Sequence, residues 1–187
     1  MTAAALQRRI MICGLGGQGI LFLSRVMADA AMRDGEEVLM AETHGMAQRG
    51  GAVEAHLKLG DFRSSLVRPG SADVVMVLHP TRVEAALPLL APGGLCFANA
   101  PEPLPGAQTV DAGAAARSLE YPQGQNLILL GFAVTRAPEL FPSLDALIAA
   151  LEAVAPEAAR LPNQTSLDRG IELAGIERAG VEPARDV

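Results

Sequence analysis

The chain has no tryptophan, one tyrosine and five phenylalanines. That scarcity argues against a platform on which nucleic-acid bases stack. Fifteen lysines and arginines stand against 21 acidic residues, a net charge of −6 with a pI of about 5.1. The basic footprint of a general nucleic-acid binder is therefore missing. The two cysteines, Cys13 and Cys96, lie far apart and neither belongs to a Cys-x-x-Cys pair. No iron–sulfur centre or zinc site can be assembled from them alone. No run of 18 apolar residues occurs, so no membrane span is expected. Met1 to Arg9 carries two arginines, but Gly14 to Gly19 interrupts any signal-type apolar run. A cytoplasmic location without a disulfide is the expectation.

The 187 residues suit one domain. Half of them are hydrophobic and 19% are charged, which excludes large-scale disorder. The mean hydropathy of +0.26 fits either a protein–protein interface or an alanine- and leucine-rich core. Arg9 to Cys13 reads as a buried strand. Ile20 to about Asp34-Gly35 reads as a helix with a glycine stop, and Glu37 to Ala41 as a second strand. Glu42 to Gly51 lacks periodicity and reads as a loop. Ala52 to Leu59 alternates, with Glu54, His56 and Lys58 on a polar, solvated face, which predicts an antiparallel edge strand. Ala72 to Leu78 is a central strand, Ala91 to Gly94 a turn, Leu95 to Ala98 a buried strand, and Gln108 to Asp111 a short last strand. Helices follow at Leu127 to Val134, from a Ser143 cap to Val154, and over Leu167 to Ala179. The pattern predicts an α/β fold, a Rossmann-like three-layer domain with a mostly parallel, mixed sheet and helices on both faces. One domain is expected over residues 1–180, with a flexible tail at 181–187.

Gly14, Gly16 and Gly19 match G-x-G-x-x-G between a strand and a helix. In that context the first glycine turns the chain, the second admits a pyrophosphate, and the third lets helix and strand pack. Amides at the helix N-terminus face the anion. The competing reading is a glycine turn used for close packing or partner contact. Glu42 ends the second strand, where a dinucleotide fold places its ribose-binding acid; it reads equally well as a cap of the next loop. Arg49 offers a planar fork to phosphate or carboxylate beside Gly50 and Gly51. It can face a ligand, face a partner subunit, or pair with Glu42 or Glu54. His44, a residue type able to titrate near neutrality, stands in the same segment. His79, at a strand end, is a candidate ligand neighbour; Cys13 and most methionines read as packing residues, with Met46 a candidate for a partner surface.

Gly14-Leu15-Gly16-Gly17-Gln18-Gly19-Ile20, followed by Glu42-Thr43-His44-Gly45-Met46-Ala47-Gln48-Arg49-Gly50-Gly51, resembles the gamma-type domain of 2-oxoacid:ferredoxin oxidoreductases. The His-Gly-Met-Ala-Gln-Arg-Gly-Gly form is most similar to the beta subunit of indolepyruvate:ferredoxin oxidoreductases. The resemblance extends through Ala72-Asp73, Pro92-Gly93-Gly94, Asn99, Asn126 to Gly131 and Asn163 to Gly170, nearly the whole chain. It implies a complex that decarboxylates a 2-oxoacid on thiamine diphosphate and passes electrons through iron–sulfur clusters to ferredoxin. The acyl group goes to coenzyme A. The chain lacks the family's GDG…N signature and its cysteine clusters, so thiamine diphosphate, magnesium and the iron–sulfur clusters are expected on a larger partner subunit. No catalytic residue and no metal ligand is expected here. The implied coenzyme A contacts are Gly14, Gly16, Gly17, Gln18, Gly19, His44, Gln48, Arg49, Gly50 and Gly51. A stand-alone nucleotide- or coenzyme A-binding module and an NAD-dependent dehydrogenase are the alternatives.

Overall fold

The computed structural model describes residues 7–44 and 51–177. Its strands are β1 Arg8–Leu15, β2 Val38–His44, β3 Ala52–Leu59, β4 Ala72–Val77, β5 Leu90–Asn99 and β6 Gln108–Val110. They form one sheet in the order β2-β3-β1-β4-β5-β6. β1, β4, β5 and β6 are mutually parallel, whereas β3 is antiparallel to both β1 and β2. β2 consequently points the same way as β1, and β3 alone is reversed among the described strands. The sheet is mixed and mostly parallel.

Six α-helices accompany it among the described residues: α1 Ile20–Arg33, α2 Val83–Ala86, α3 Ala112–Ser118, α4 Gln125–Arg136, α5 Leu144–Val154 and α6 Glu157–Glu177. Alternation along β1 sorts the core into two layers. Ile10 and Ile12 join Leu23 and Met27 of α1 and Leu127 and Leu130 of α4 on one face. Met11 and Cys13 join Val75, Val77, Cys96 and Ala98 beneath Val83 and Ala86 of α2 on the other. Helices thus cover both faces, the second more thinly.

Local chemistry explains the ends of α1 and α5. The amide of Glu36 donates to the Ala31 carbonyl and that of Gly35 to the Met32 carbonyl, at 3.0 and 3.1 Å. This is a Schellman stop, with Gly35 at φ 80°. Ser143 caps α5 by accepting from the Ala146 amide at 3.2 Å, and Asp34 holds Ser143 through its amide and hydroxyl. The first helix end therefore anchors the start of the fifth.

Several expectations change. β3 is not an edge strand; it lies between β2 and β1. Its polar side chains do share one face, but the segment carrying Phe62 and Val67 covers that face. His56 is buried rather than solvated, its Nδ1 accepting from the Val67 amide at 3.2 Å. Glu42, Thr43 and His44 continue β2 instead of opening a loop. The turn at Ala91 to Gly94 is an irregularity inside β5: Gly93 has φ 81° and the register shifts between Ala72 and Val74. Helix α3 was not anticipated, and α6 starts at Glu157 rather than Leu167. Pro162 lies inside α6, where a proline ordinarily signals a helix break. The tail at 181–187 and the segment Gly45 to Gly50 lie outside the described residues.

Candidate functional site at the glycine loop

β1 delivers the chain to Gly14 at the carboxyl end of the parallel strands, the edge where open α/β sheets receive ligands. The Gln18 side chain folds back into this turn. Its Oε1 accepts from the Leu15 amide at 2.7 Å and its Nε2 donates to the Leu78 carbonyl at 3.0 Å. A Cβ on Gly14 would lie 2.7 Å from Gln18 Oε1. The first glycine thus makes room for the carboxamide that clamps β1 to the end of β4.

Gly17 and Gly19 have φ of 94° and 75°, and Gly19 is the N-cap of α1. Its carbonyl accepts from Asn126 Nδ2 at 3.3 Å, and a Cβ there would sit 2.4 Å from that nitrogen. Both backbone strain and the close carboxamide exclude a side chain at this position. Gly16 and Gly17 are exposed at the tip. No side chain caps the first turn of α1.

The two glycine segments meet. The Gly16 amide donates to the Gly51 carbonyl at 3.0 Å, and Leu15 faces Ala52 across β1 and β3. Gly14, Gly16, Gly17, Gln18, Gly19 and Gly51 are therefore gathered at one place. His44 ends β2, in register with Val53, which in turn faces Gly14. Two strand spacings, roughly 10 Å, separate its backbone from Gly14. Gln48, Arg49 and Gly50, like Met46, lie outside the described residues.

A cavity of about 280 Å³ opens beside the loop, bordered by Gln18, Phe22, Tyr121, Gln123, Gln125 and Asn126 among others. None of its lining residues is charged. A second, more apolar hollow of about 450 Å³ lies on the other flank, against Leu15, Ile20, Leu21 and Val53. Carboxamides tie the cavity wall together. Asn99 Nδ2 donates to the Leu78 carbonyl and to Gln125 Oε1, each at 3.2 Å, and its Oδ1 accepts from the Gly113 amide at 3.2 Å. Tyr121 donates its hydroxyl to Asn163 Oδ1 at 3.1 Å. Asn126 and Asn163 line the cavity and Asn99 braces Gln125 from behind; all three belonged to the resembling segments, but nothing in the sequence assigned them to this place. Tyr121, Gln123 and Gln125 carried no motif at all.

Cys13 is buried, and burial first, then the Glu54 carboxylate, pushes its thiol up to about 12. Burial likewise raises Cys96 to about 11. Both are packing residues, not nucleophiles. His79 accepts from the Thr81 amide and caps a short 3₁₀ turn over Pro80–Arg82. Glu54 meets Arg82 at 3.6 Å. Glu42 faces Ala55 in β3, which faces Ile12 in β1. The reversed strand thus holds Glu42 about two strand spacings, roughly 10 Å, from β1. A dinucleotide fold puts the corresponding acid on the strand next to β1. Among the described residues no group of three or more His, Cys, Asp or Glu side chains is placed to hold a metal, and no helix is long and apolar enough to cross a membrane.

Comparison with known proteins settles the kinship. The family "Pyruvate ferredoxin/flavodoxin oxidoreductase" matches residues 9–173. The chain belongs to that family. It is 42% identical over 119 residues to "Indolepyruvate oxidoreductase subunit IorB" of Archaeoglobus fulgidus, covering 64% of this chain and 56% of that one. The chain spans about half the length of the curated relatives it matches. Its fold is that of the keto/oxoacid ferredoxin oxidoreductase gamma subunit from Geobacter sulfurreducens, with a TM-score of 0.76, 23% identity, and coverage of 90% of this chain and 99% of that one. A 2-oxoglutarate:ferredoxin oxidoreductase from Magnetococcus marinus, solved with 2-oxoglutarate, coenzyme A and succinyl-CoA bound, superposes with a TM-score of 0.74 at 22% identity. That match covers 91% of this chain and 31% of the other. The family and the α/β fold agree with the resemblance read from the two glycine segments.

Proposed function

We propose that this chain is the small subunit of a thiamine-dependent 2-oxoacid:ferredoxin oxidoreductase acting on aryl pyruvates such as indolepyruvate, and that it supplies the coenzyme A side of the site. The observation that carries this reading is the union of the two glycine segments through the Gly16–Gly51 hydrogen bond. It brings Gly51, the last residue of the second segment, against the glycine loop that leads into α1. Phosphates would meet the α1 amides, Gly17 and the Arg49 fork. The uncharged cavity between Phe22, Tyr121 and Asn126 suits a neutral, hydrogen-bonding part of the same ligand. The Magnetococcus marinus relative binds coenzyme A, which supports that ligand.

Thiamine diphosphate with magnesium, and the iron–sulfur clusters that feed ferredoxin, belong in this reading to the larger partner subunit. Thiamine diphosphate supplies the carbanion chemistry of decarboxylation. The residues of this chain bind coenzyme A and orient it. The chain alone is then inactive. The displaced Glu42 disfavours an NAD-dependent dehydrogenase. The test is reconstitution with the larger subunit, following coenzyme A-dependent reduction of ferredoxin with indolepyruvate, pyruvate and 2-oxoglutarate. Activity only in the complex, greatest with indolepyruvate, is expected. Decarboxylation by the isolated chain, or preference for pyruvate, would overturn the proposal.

A further inference from the structure

Cations gather at the opposite end of the sheet, where the parallel strands begin. Arg9, Lys58, Arg63 and Arg68 line one cleft of about 560 Å³. It lies about 20 Å from the glycine loop, the length of β1 at strand rise. The chain is acidic overall, at −6, so this is a local concentration against the average. Lys58 is also the chain's one lysine.

The charges are poorly balanced. Asp73 accepts from the Arg9 amide at 2.7 Å and meets its guanidinium at 3.5 Å. Lys58, Arg63 and Arg68 have no carboxylate partner among the described residues. Asp61 is exposed nearby in sequence, with its carbonyl bonded to Gln7. The Phe62 ring organises the floor: the Arg9 guanidinium lies 5.2 Å and the Lys58 ammonium 5.1 Å from its centroid. Lys58 is 8% exposed, whereas Arg63 and Arg68 stand at the rim. Burial, then Arg9 and Arg68, push the Lys58 ammonium below its ordinary range. A nearly buried, unpaired lysine facing further cations is costly unless an anion completes the group.

We propose that this cleft binds a compact phosphorylated ligand, with Lys58 at the floor and Arg63 and Arg68 closing on it from the rim. Guanidinium forks match phosphate oxygens, and a small anion can reach Lys58. The acidic face of a folded protein would touch the rim alone. The site is independent of the glycine loop.

The full chain is titrated with inorganic pyrophosphate, and separately with ADP, while the amides of Ser64, Gly70 and Ser71 are followed by NMR. These amides report this cleft and not the glycine loop. Saturable shifts with pyrophosphate are expected, weakened about tenfold or more in the surface double variant R63A/R68A and unchanged in R117A. Equal affinity for pyrophosphate and ADP assigns the site to phosphate alone; tighter ADP binding assigns it to a nucleotide. K58M should abolish the shifts, and the double variant keeps the test valid if K58M does not fold. Unmoved amides, an unchanged affinity in R63A/R68A, or movement with a polyglutamate peptide but not pyrophosphate would overturn the proposal.

Discussion

Replacing Gln18 separates the structural work of the glycine loop from its work on ligand. In Gln18→Leu the Leu15 amide loses its 2.7 Å acceptor, and the Leu78 carbonyl loses a 3.0 Å donor. The carbonyl keeps Asn99 Nδ2 at 3.2 Å, so it stays satisfied. The amide is partly buried and has no comparable substitute. Leaving such a group unpaired costs about 1–3 kcal/mol, with about 2 kcal/mol the central value. For a domain of this size that lowers Tm by roughly 4–8 °C. Gln18→Glu keeps an acceptor for Leu15, but its second carboxylate oxygen would face the Leu78 carbonyl, acceptor against acceptor, where Nε2 now donates at 3.0 Å, so it also destabilises, by about 1–3 kcal/mol. It also places a negative charge at the mouth of the loop. Both variants therefore melt below the parent, and they diverge in binding: the glutamate variant binds phosphate-bearing ligands about tenfold more weakly than the leucine variant. Thermal denaturation followed by circular dichroism gives the first result, and calorimetric titration the second. A Gln18→Leu protein that melts within about a degree of the parent would refute the clamp.

Gly131→Ala and Gly170→Ala should each destabilise by about 3 kcal/mol or more. The added Cβ atoms would lie 2.2 Å from the Leu167 carbonyl and 2.0 Å from the Ile128 carbonyl, at the crossing of α4 and α6. Urea denaturation checks this. His56 supplies a pH test. Burial holds its pKa below the 6.5 of a free histidine, with the positive Lys58 acting in the same direction and Glu54 against. Below about pH 6.5 the unfolded chain takes up a proton that folded His56 refuses, so stability falls as pH falls, by at most about 1.4 kcal/mol per pH unit. Denaturation between pH 7.5 and 5.5 should show this loss in the parent and a flatter profile in His56→Gln, whose amide oxygen can still accept from Val67.

The alternation and glycine signals make most of the fold legible in the sequence. Gly35 and Ser143 marked helix ends because capping is local chemistry, complete within a few residues. Gly14 to Gly19 and the segment before Ala52 were linked through the family resemblance, and the Gly16–Gly51 hydrogen bond joins them. Position within the sheet was not legible. The polar side chains of β3 suggested solvent, since alternation records which residues share a face and not what covers it. Pro162 hid the first turns of α6, because tertiary packing against α4 outweighs the local cost of proline. The carboxamide wall was unreadable for a similar reason: Gln18, Asn99, Gln125, Asn126 and Asn163 are scattered in sequence, and uncharged amides carry no spacing signature.

The most direct test of the central claim is calorimetric titration of the chain with coenzyme A, NAD and ADP, repeated with Arg49→Ala and Glu42→Ala. Coenzyme A should bind more tightly than NAD, lose about tenfold or more in affinity with Arg49→Ala, and be indifferent to Glu42→Ala. Binding of NAD that depends on Glu42, with no binding of coenzyme A, would contradict it.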